Sequence, residues 1–262
     1  ENDQALSWSW DGTLRLWDLK AGTSKVFEGH TKYVRGVHLM ENNQALSWSS
    51  DKTLRLWDLK AGTSKVFEGH TNWVIGVRLI DDNQALSWSS DKTLRLWDLK
   101  AGTSKVFEGH TKSVEGVHLI DDNQVLSWSD DGTLRLWDLK VGTSKVFEGH
   151  TKGGMGVHLM KNNQALSWSW DGTLRLWDLK AGSSQVFEGH TDFVLGVHLM
   201  ENNQALSWSD DCTLRLWDLK AGSSKESVGH KDKVRGVRLV ENNQSLSWSS
   251  DKTLRLWDLK AG

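Results

Sequence analysis

Short segments with alternating apolar and polar residues recur along the chain and predict β-strands. In one stretch the alternation covers Val34–Met40, and the polar residues 41–43 that follow have the composition of a turn. Gln44–Ser49, residues 53–58 and residues 64–67 are three further short segments of this kind, separated by tight polar turns. We label these predicted strands A, B, C and D. With three hairpin turns they form an antiparallel meander.

Both faces of this predicted sheet carry bulky apolar groups. In strand C, Leu54 and Leu56 point to one side, whereas Trp57 shares the other side with the aliphatic stem of Arg55. A single sheet cannot bury both of its faces. We therefore expect each sheet to lie between two neighbouring sheets.

The same pattern repeats with a period of 40 residues and without insertions. Six Gly-His pairs precede strand A, and seven copies of Leu-Arg-Leu-Trp-Asp place tryptophans at Trp17, Trp57, Trp97, Trp137, Trp177, Trp217 and Trp257. Gly-His before and Trp-Asp after, at this period, are typical of repeats that fold as four-stranded blades. The chain resembles the WD-repeat β-propeller family over its whole length. The resemblance implies an all-β protein in which residues 1–262 form a single propeller domain of four-stranded antiparallel blades.

The predicted strands are not equally numerous: B and C occur seven times, A and D six times. We expect seven blade positions with an incomplete seam between the first and last repeats. The alternative is six blades, in which residues 24–27 complete the last sheet and residues 1–20 form a surplus hairpin. Glu1 aligns with Glu41 and Gly262 with Gly62, so we expect a piece of a longer repeat protein, either bacterial or engineered and excised.

Composition narrows the classes of partner. The net charge of −2 provides no basic excess, so we expect no nucleic-acid partner. No apolar run is long enough to cross a membrane, and we expect no membrane association. Cys212 is the only cysteine and cannot form an internal disulfide, which favours a reducing, cytoplasmic location. We expect no cofactor or metal.

Each full repeat also carries histidine, serine, aspartate and tryptophan at constant offsets. Serine, histidine and aspartate are the members of a hydrolytic triad, so a catalytic interpretation is open. The structural interpretation is favoured because the set occurs six times and includes an indole N–H that can only donate. In the family such a set resembles a hydrogen-bonded tetrad that ties the Gly-His loop to strands B and C. The predicted tetrads are His30, Ser49, Asp51, Trp57; His70, Ser89, Asp91, Trp97; His110, Ser129, Asp131, Trp137; His150, Ser169, Asp171, Trp177; His190, Ser209, Asp211, Trp217; and His230, Ser249, Asp251, Trp257.

A second set of basic side chains shares one position in strand A. It could line a central channel as an anion or metal site. The favoured interpretation is that each side chain meets a polar partner across the gap between neighbouring blades. The set comprises His38, Arg78, His118, His158, His198 and Arg238.

Differences between the repeats are concentrated at five offsets. Two lie in the B–C turn, where one offset holds Trp10, Ser50, Asp130 and Trp170 among others. Three surround the start of strand A, where one offset holds Arg35, Glu115 and Met155 among others. The C–D turn, by contrast, stays Leu-Lys-Ala-Gly except at Val141.

Alternate turns of a meander lie at opposite edges, so the D–A loops and B–C turns share one face, which we call the variable face. Relaxed constraint on loops could explain its variation, but the large aromatic side chains placed there favour a binding surface. We predict a non-enzymatic scaffold that recognises a protein or peptide. The alternatives are a small-ligand or enzymatic site in the channel, and an engineered piece with no natural ligand. Self-association through the incomplete blades is a further expectation. The predicted partner-binding residues are Trp10, Tyr33, Arg35, Trp73, Glu115, Trp170, Phe193, Lys233 and Arg235.

Overall fold

The computed structural model describes residues 3–154, 156–241 and 243–259 of the chain. Glu1, Met155 and Gly262, which entered the expectations above, lie outside these ranges. The described residues form 26 strands arranged in seven antiparallel sheets, and none of them belongs to a helix that could cross a membrane. The predicted all-β class is confirmed.

Five sheets have four strands, and the first and last described sheets have three. The first comprises β1 (Gln4–Trp8), β2 (Leu14–Asp18) and β3 (Thr23–Phe27); the second, β4 (Val34–Met40), β5 (Gln44–Ser49), β6 (Leu54–Asp58) and β7 (Thr63–Phe67); the third, β8 (Val74–Leu79), β9 (Gln84–Ser89), β10 (Leu94–Asp98) and β11 (Thr103–Phe107); the fourth, β12 (Val114–Leu119), β13 (Gln124–Ser129), β14 (Leu134–Asp138) and β15 (Ser144–Phe147).

The fifth sheet comprises β16 (Gly156–Met160), β17 (Gln164–Trp168), β18 (Leu174–Asp178) and β19 (Ser184–Phe187); the sixth, β20 (Val194–Leu199), β21 (Gln204–Ser209), β22 (Thr213–Asp218) and β23 (Ser223–Val228); the seventh, β24 (Val234–Val240), β25 (Gln244–Ser249) and β26 (Leu254–Asp258). Strands pair in chain order in every sheet, as expected for a meander. β3 pairs with β2, and Trp17 faces Ser24, so residues 24–27 belong to the first sheet. The six-blade alternative required these residues to complete the last sheet.

Two compact units make up the chain: residues 1–129 with 137–145, and residues 130–136 with 146–262. Within each unit, successive sheets bury their facing sides against each other. In the first unit, Phe27 of strand D packs edge-on against Trp57 of the next sheet, with 6.0 Å between ring centroids. In the second unit, Phe187 and Trp217 repeat the contact at 5.9 Å. Each of these four rings is at most 1% exposed.

A glycine in strand A lets the tryptophan of strand B lie flat across it. A Cβ atom on Gly36 would come within 2.1 Å of Trp48 Cζ2, which no side chain could tolerate. The pairing of β4 with β5 is irregular between Val34 and Gly36, so a bulge lies where strand A leaves the variable face.

Candidate functional site

Backbone hydrogen bonds hold the D–A loop and the B–C turn together in the second, third, fifth, sixth and seventh sheets. In the second sheet the Ser50 N–H of the B–C turn donates to the Tyr33 carbonyl at 2.9 Å, and in the sixth the Asp210 N–H donates to the Phe193 carbonyl at 3.0 Å. The variable offsets of the two loops are therefore neighbours in space. This supports placing them on one surface.

A buried hydrogen-bonded set lies beneath these loops. In the second sheet, His30 Nδ1 lies 2.7 Å from Asp51 Oδ2, and His30 Nε2 lies 2.8 Å from Ser47 Oγ. Trp57 Nε1 donates to the same Ser47 oxygen at 2.8 Å. The set ties the Gly-His loop to strands B and C, as the resemblance implied.

The predicted serine of this set was wrong in each tetrad. Ser49 Oγ instead accepts from the Asp51 N–H at 3.0 Å and donates to the Lys32 carbonyl at 3.2 Å. Trp57 pairs with Ala45 across the sheet, which makes Ser47 its diagonal neighbour on the same face and leaves Ser49 farther along, at the turn. The replaced serines are Ser49, Ser89, Ser129, Ser169, Ser209 and Ser249; those bonded to histidine and tryptophan are Ser47, Ser87, Ser127, Ser167, Ser207 and Ser247.

The order of groups in this set is that of a hydrolytic triad. The indole can only donate, so Ser47 accepts from Trp57. In the His30 tautomer that carries its hydrogen on Nδ1, that hydrogen goes to Asp51 and Ser47 donates to Nε2, which is the triad arrangement. Ser47, however, is 0% exposed. A substrate carbonyl cannot reach its oxygen, so the geometry favours the structural interpretation.

The aspartates of these sets are held ionised. Burial alone would raise the pKa of the Asp51 carboxyl, but hydrogen bonds from His30, Thr53 and the Thr31 N–H outweigh it and hold that pKa far below its ordinary value. Asp91, in the third sheet, has its pKa lowered in the same way. Asp11, in the first sheet, has no preceding histidine, and its pKa is lowered mainly by a hydrogen bond from the Thr13 N–H.

Four of the predicted partner-binding residues meet at one pocket in the first unit. Trp10 and Tyr33 stack with 5.5 Å between ring centroids, and the Arg35 guanidinium lies 4.7 Å from the centre of the Trp73 ring. The pocket has a volume of about 440 Å³. Trp10 is 77% exposed, so its indole is presented to solvent even though it is stacked.

Two more predicted residues form an equivalent pair in the second unit. Trp170 and Phe193 stack at 5.3 Å, and Lys152 Nζ lies 5.3 Å from the centre of the Phe193 ring. Gly154 has a φ of 66°, and a Cβ atom there would come within 2.1 Å of the Trp170 ring. Glycine at this position therefore lets the indole lie across the loop backbone.

The predicted binding residues Lys233, Arg235 and Glu115 differ in the contacts that they make within the protein. Lys233 forms an ion pair with Asp210 of the preceding sheet. Arg235 Nε donates to Ser250 Oγ at 2.6 Å. Glu115 is half-buried and forms no hydrogen bond or ion pair with the residues that the structure describes.

These contacts show a relationship that sequence reasoning missed: in four of six cases a B–C turn residue contacts the D–A loop residue 23 positions later, and the two match in chemistry. Ser50 with Trp73 and Asp130 with Gly153 are the two pairs that do not match. Two of the matching pairs are the aromatic stacks. Asp210 with Lys233 is an acid–base pair, and Ser90 with Ser113 is a hydroxyl pair at 3.3 Å. The signal was present in the sequence as matched residue types at this spacing. Part of the variation on this face thus serves contacts between neighbouring sheets.

The uniform C–D turns at the opposite edge have their own structural constraint. Asp58 Oδ1 accepts from the Lys60 and Ala61 N–H groups, at 2.9 and 2.8 Å. Lys25 of the preceding sheet donates to the Leu59 and Lys60 carbonyls, at 3.1 and 2.8 Å. These turns are exposed, but hydrogen bonds hold their backbone in place. This structural constraint explains why their sequence is uniform, whether or not a ligand binds there.

The strand-A histidines meet partners in the next sheet, as favoured above. His38 Nε2 lies 2.9 Å from the Val77 carbonyl, and His158 and His198 make the same contact with Val197 and Val237 at 2.8 Å. Among the described residues no group of histidine, cysteine, aspartate or glutamate side chains is arranged to hold a metal ion.

Comparison with known proteins identifies the family of the repeats. The family model described as WD domain, G-beta repeat matches residues 22–58, 62–98, 102–138, 142–178, 182–218 and 223–258. Comparison with curated proteins gives no match. Each matched segment contains strand D of one sheet and strands A, B and C of the next, so the matched unit includes the junction between sheets. The chain belongs to the WD40 repeat family.

Proposed function

We propose that this protein is a recognition module that binds a protein or peptide through the variable face. Members of the WD40 family generally act as interaction scaffolds, which supports the general class. The face itself is our inference, and one observation carries it: the exposed loop aromatics lie in the D–A loops and B–C turns. Trp10, Tyr33, Trp73 and Trp170 are 77%, 54%, 46% and 44% exposed. The A–B and C–D turns contain no aromatic residue.

Stacking suits these aromatic residues to act as anchors. Because Trp10 lies against Tyr33 and Trp170 against Phe193, each ring has a fixed orientation before a ligand arrives. A side chain that is already ordered loses less conformational entropy on binding. Large aromatics of this kind dominate the energetics of many interfaces. The remaining predicted residues, Arg35, Glu115, Lys233 and Arg235, would provide the polar contacts around them.

The test compares the two edges of the sheets. A random dodecapeptide library is selected on the immobilised chain, and the selected peptides are measured against paired variants. Trp73→Ala or Trp170→Ala should weaken binding by about 2 kcal/mol or more at a true anchor, while Lys60→Ala and Lys140→Ala should change it little. Peptides that lose affinity only with the lysine variants would show that the binding surface is wrongly assigned.

We also propose that the chain forms seven blade positions of one propeller. The seven described sheets support this proposal. Self-association has its own supporting observation at β26, where Leu254 and Leu256 are 68% and 61% exposed, whereas Leu54 in the second sheet is fully buried. An exposed apolar edge strand can pair with another chain. If β26 mediates association, replacing Leu254 and Leu256 by Lys should lower the mass measured by sedimentation. An unchanged monomer mass in both proteins would contradict it.

A further inference from the structure

Arg35 combines a tethered guanidinium, a neighbouring aromatic ring and a pocket, and this combination points to a class of ligand. Its Nε donates to Ser50 Oγ at 2.8 Å, and its guanidinium carbon Cζ lies over the Trp73 ring, 4.7 Å from the ring centre. The two terminal nitrogens form no hydrogen bond with the described residues. The tethered guanidinium therefore presents a free two-donor edge at the pocket, and this edge matches the two oxygens of a planar anion.

Part of the pocket lining is apolar. It is formed by the stacked rings of Trp10 and Tyr33, and Trp73 continues the apolar lining beside Arg35. A volume of about 440 Å³ accommodates one or two amino-acid side chains and is small for a folded domain. An extended peptide could place one charged and one apolar side chain here.

Charge selects among the ligands that would fit. Three exposed aromatic rings could also form a cage for a cation, but Arg35 already covers the face of Trp73, and Lys32 adds a second positive charge to the lining. Asp11 supplies the single negative charge, so the pocket carries a net charge of +1 from Lys32, Arg35 and Asp11. This balance disfavours a cation and matches a single negative charge better than the dianion of a phosphate group.

We propose that this pocket binds the carboxylate of an aspartate or glutamate in an extended peptide, with the neighbouring apolar side chain of that peptide against Trp10 and Tyr33. The proposal rests on the proposed function, because it names the ligand chemistry of the variable face. Arg35 would hold the carboxylate through its free edge. Ser50 and Trp73 would keep the guanidinium in place.

The experiment selects random hexapeptides on the intact chain and on two variants. Arg35→Met keeps most of the apolar stem but removes the guanidinium. Arg78→Met is the matched control, because it removes an equal charge from strand A of the same unit, at an exposed site outside this pocket. The best peptide is then synthesised with its acidic residue replaced by the uncharged amide, and with phosphoserine in its place.

We expect the wild-type chain and Arg78→Met to select an acidic residue next to an apolar one, and Arg35→Met to lose that preference. The amide peptide should bind the wild-type chain on the order of tenfold more weakly or worse. This inference would be overturned if the selected peptides depend on the variable face but lack an acidic residue, or if Arg35→Met selects acidic residues as often as the wild-type chain does. Either result would leave the proposed function intact. Tighter binding of the phosphoserine peptide would overturn the carboxylate assignment. Selected peptides that lose affinity only with the C–D turn variants, Lys60→Ala and Lys140→Ala, would overturn both proposals.

Discussion

Lys233 and Asp210 form an ion pair that joins the sixth sheet to the seventh across 23 residues of sequence. The Asp210 side chain is only 5% exposed, and its other oxygen has no hydrogen-bond partner among the described residues. The hydrogen bond that the Lys233 ammonium donates to Asp210 raises the pKa of Lys233. The equivalent positions in the third and fourth sheets hold Ser90 and Ser113, which bond to each other.

This relationship predicts that the two positions can be exchanged only as a pair. Lys233→Ser alone should lower the urea midpoint of unfolding, because it leaves the buried Asp210 carboxylate without its cation. The double variant, Asp210→Ser with Lys233→Ser, reproduces the natural serine pair and should recover most of the loss. Equilibrium unfolding of the three chains checks this. A double variant less stable than Lys233→Ser would show that the pair is not a unit.

The tetrad serine should contribute to stability in proportion to the partners it satisfies. Ser87→Ala removes the partner of His70 Nε2 and of Trp97 Nε1, both buried, and should lower the free energy of unfolding by at least about 1–3 kcal/mol. Ser7→Ala is the control, since Trp17 is the one side-chain partner of Ser7 among the described residues, and Trp17 is 36% exposed and accessible to water. We expect a loss below about 1 kcal/mol there. Equal losses measured by urea unfolding would contradict the tetrad account.

The lowered pKa values of the tetrad aspartates predict the acid dependence of stability. Since the folded pKa lies below the unfolded value of about 3.9, ionised Asp51, Asp91, Asp171 and Asp211 stabilise the fold fully above that pH, and the contribution is lost as the pH falls further. Asp91→Asn should therefore be less stable at pH 7 and lose less on acidification. Unfolding midpoints measured from pH 7 to pH 3 test this. Asp11→Asn, without a histidine partner, should change the pH 7 midpoint less, and an equal change would contradict the proposed role of histidine.

The B–C turn predicts a stabilising substitution. Lys92 adopts a φ of 77°, where Gly132 adopts 84°, and a Cβ atom on Gly132 would lie 2.6 Å from the His150 carbonyl. Lys92→Gly should relieve left-handed strain and, after the entropy cost of glycine, raise stability by up to about 1 kcal/mol. Lys92→Ala keeps the Cβ atom and should give no gain. Thermal denaturation of both variants provides the comparison, and a lower melting temperature for the glycine variant would contradict the strain argument.

The strands were predictable because apolar and polar residues alternate clearly in each repeat. β4 and β5 match the predicted strands A and B, whereas β6 begins at Leu54 and not at Thr53. Thr53 instead donates its N–H and hydroxyl to Asp51. Such a side-chain contact does not alter the alternation of apolar residues, so the pattern cannot locate it.

The site was predictable only in part. His30, Asp51 and Trp57 follow from the repeated residue types, but choosing between Ser47 and Ser49 needed the register of β5 against β6. The variation of the loops was visible in the sequence, but the contacts that the variable residues make between neighbouring sheets were not. Lys25 reaches a C–D turn more than 30 residues later, and no local pattern shows that this turn is held in place.

The central claim is that the variable face binds the ligand, and hydrogen exchange tests it most directly. The measurement is the change in amide exchange of the intact chain when a selected dodecapeptide is added at saturation. We predict slower exchange in the D–A loops and B–C turns, including residues 31–35, 71–75 and 191–195, with the C–D turns at residues 59–62 and 139–142 unchanged. Protection of the C–D turns with no change in the D–A loops would contradict the account.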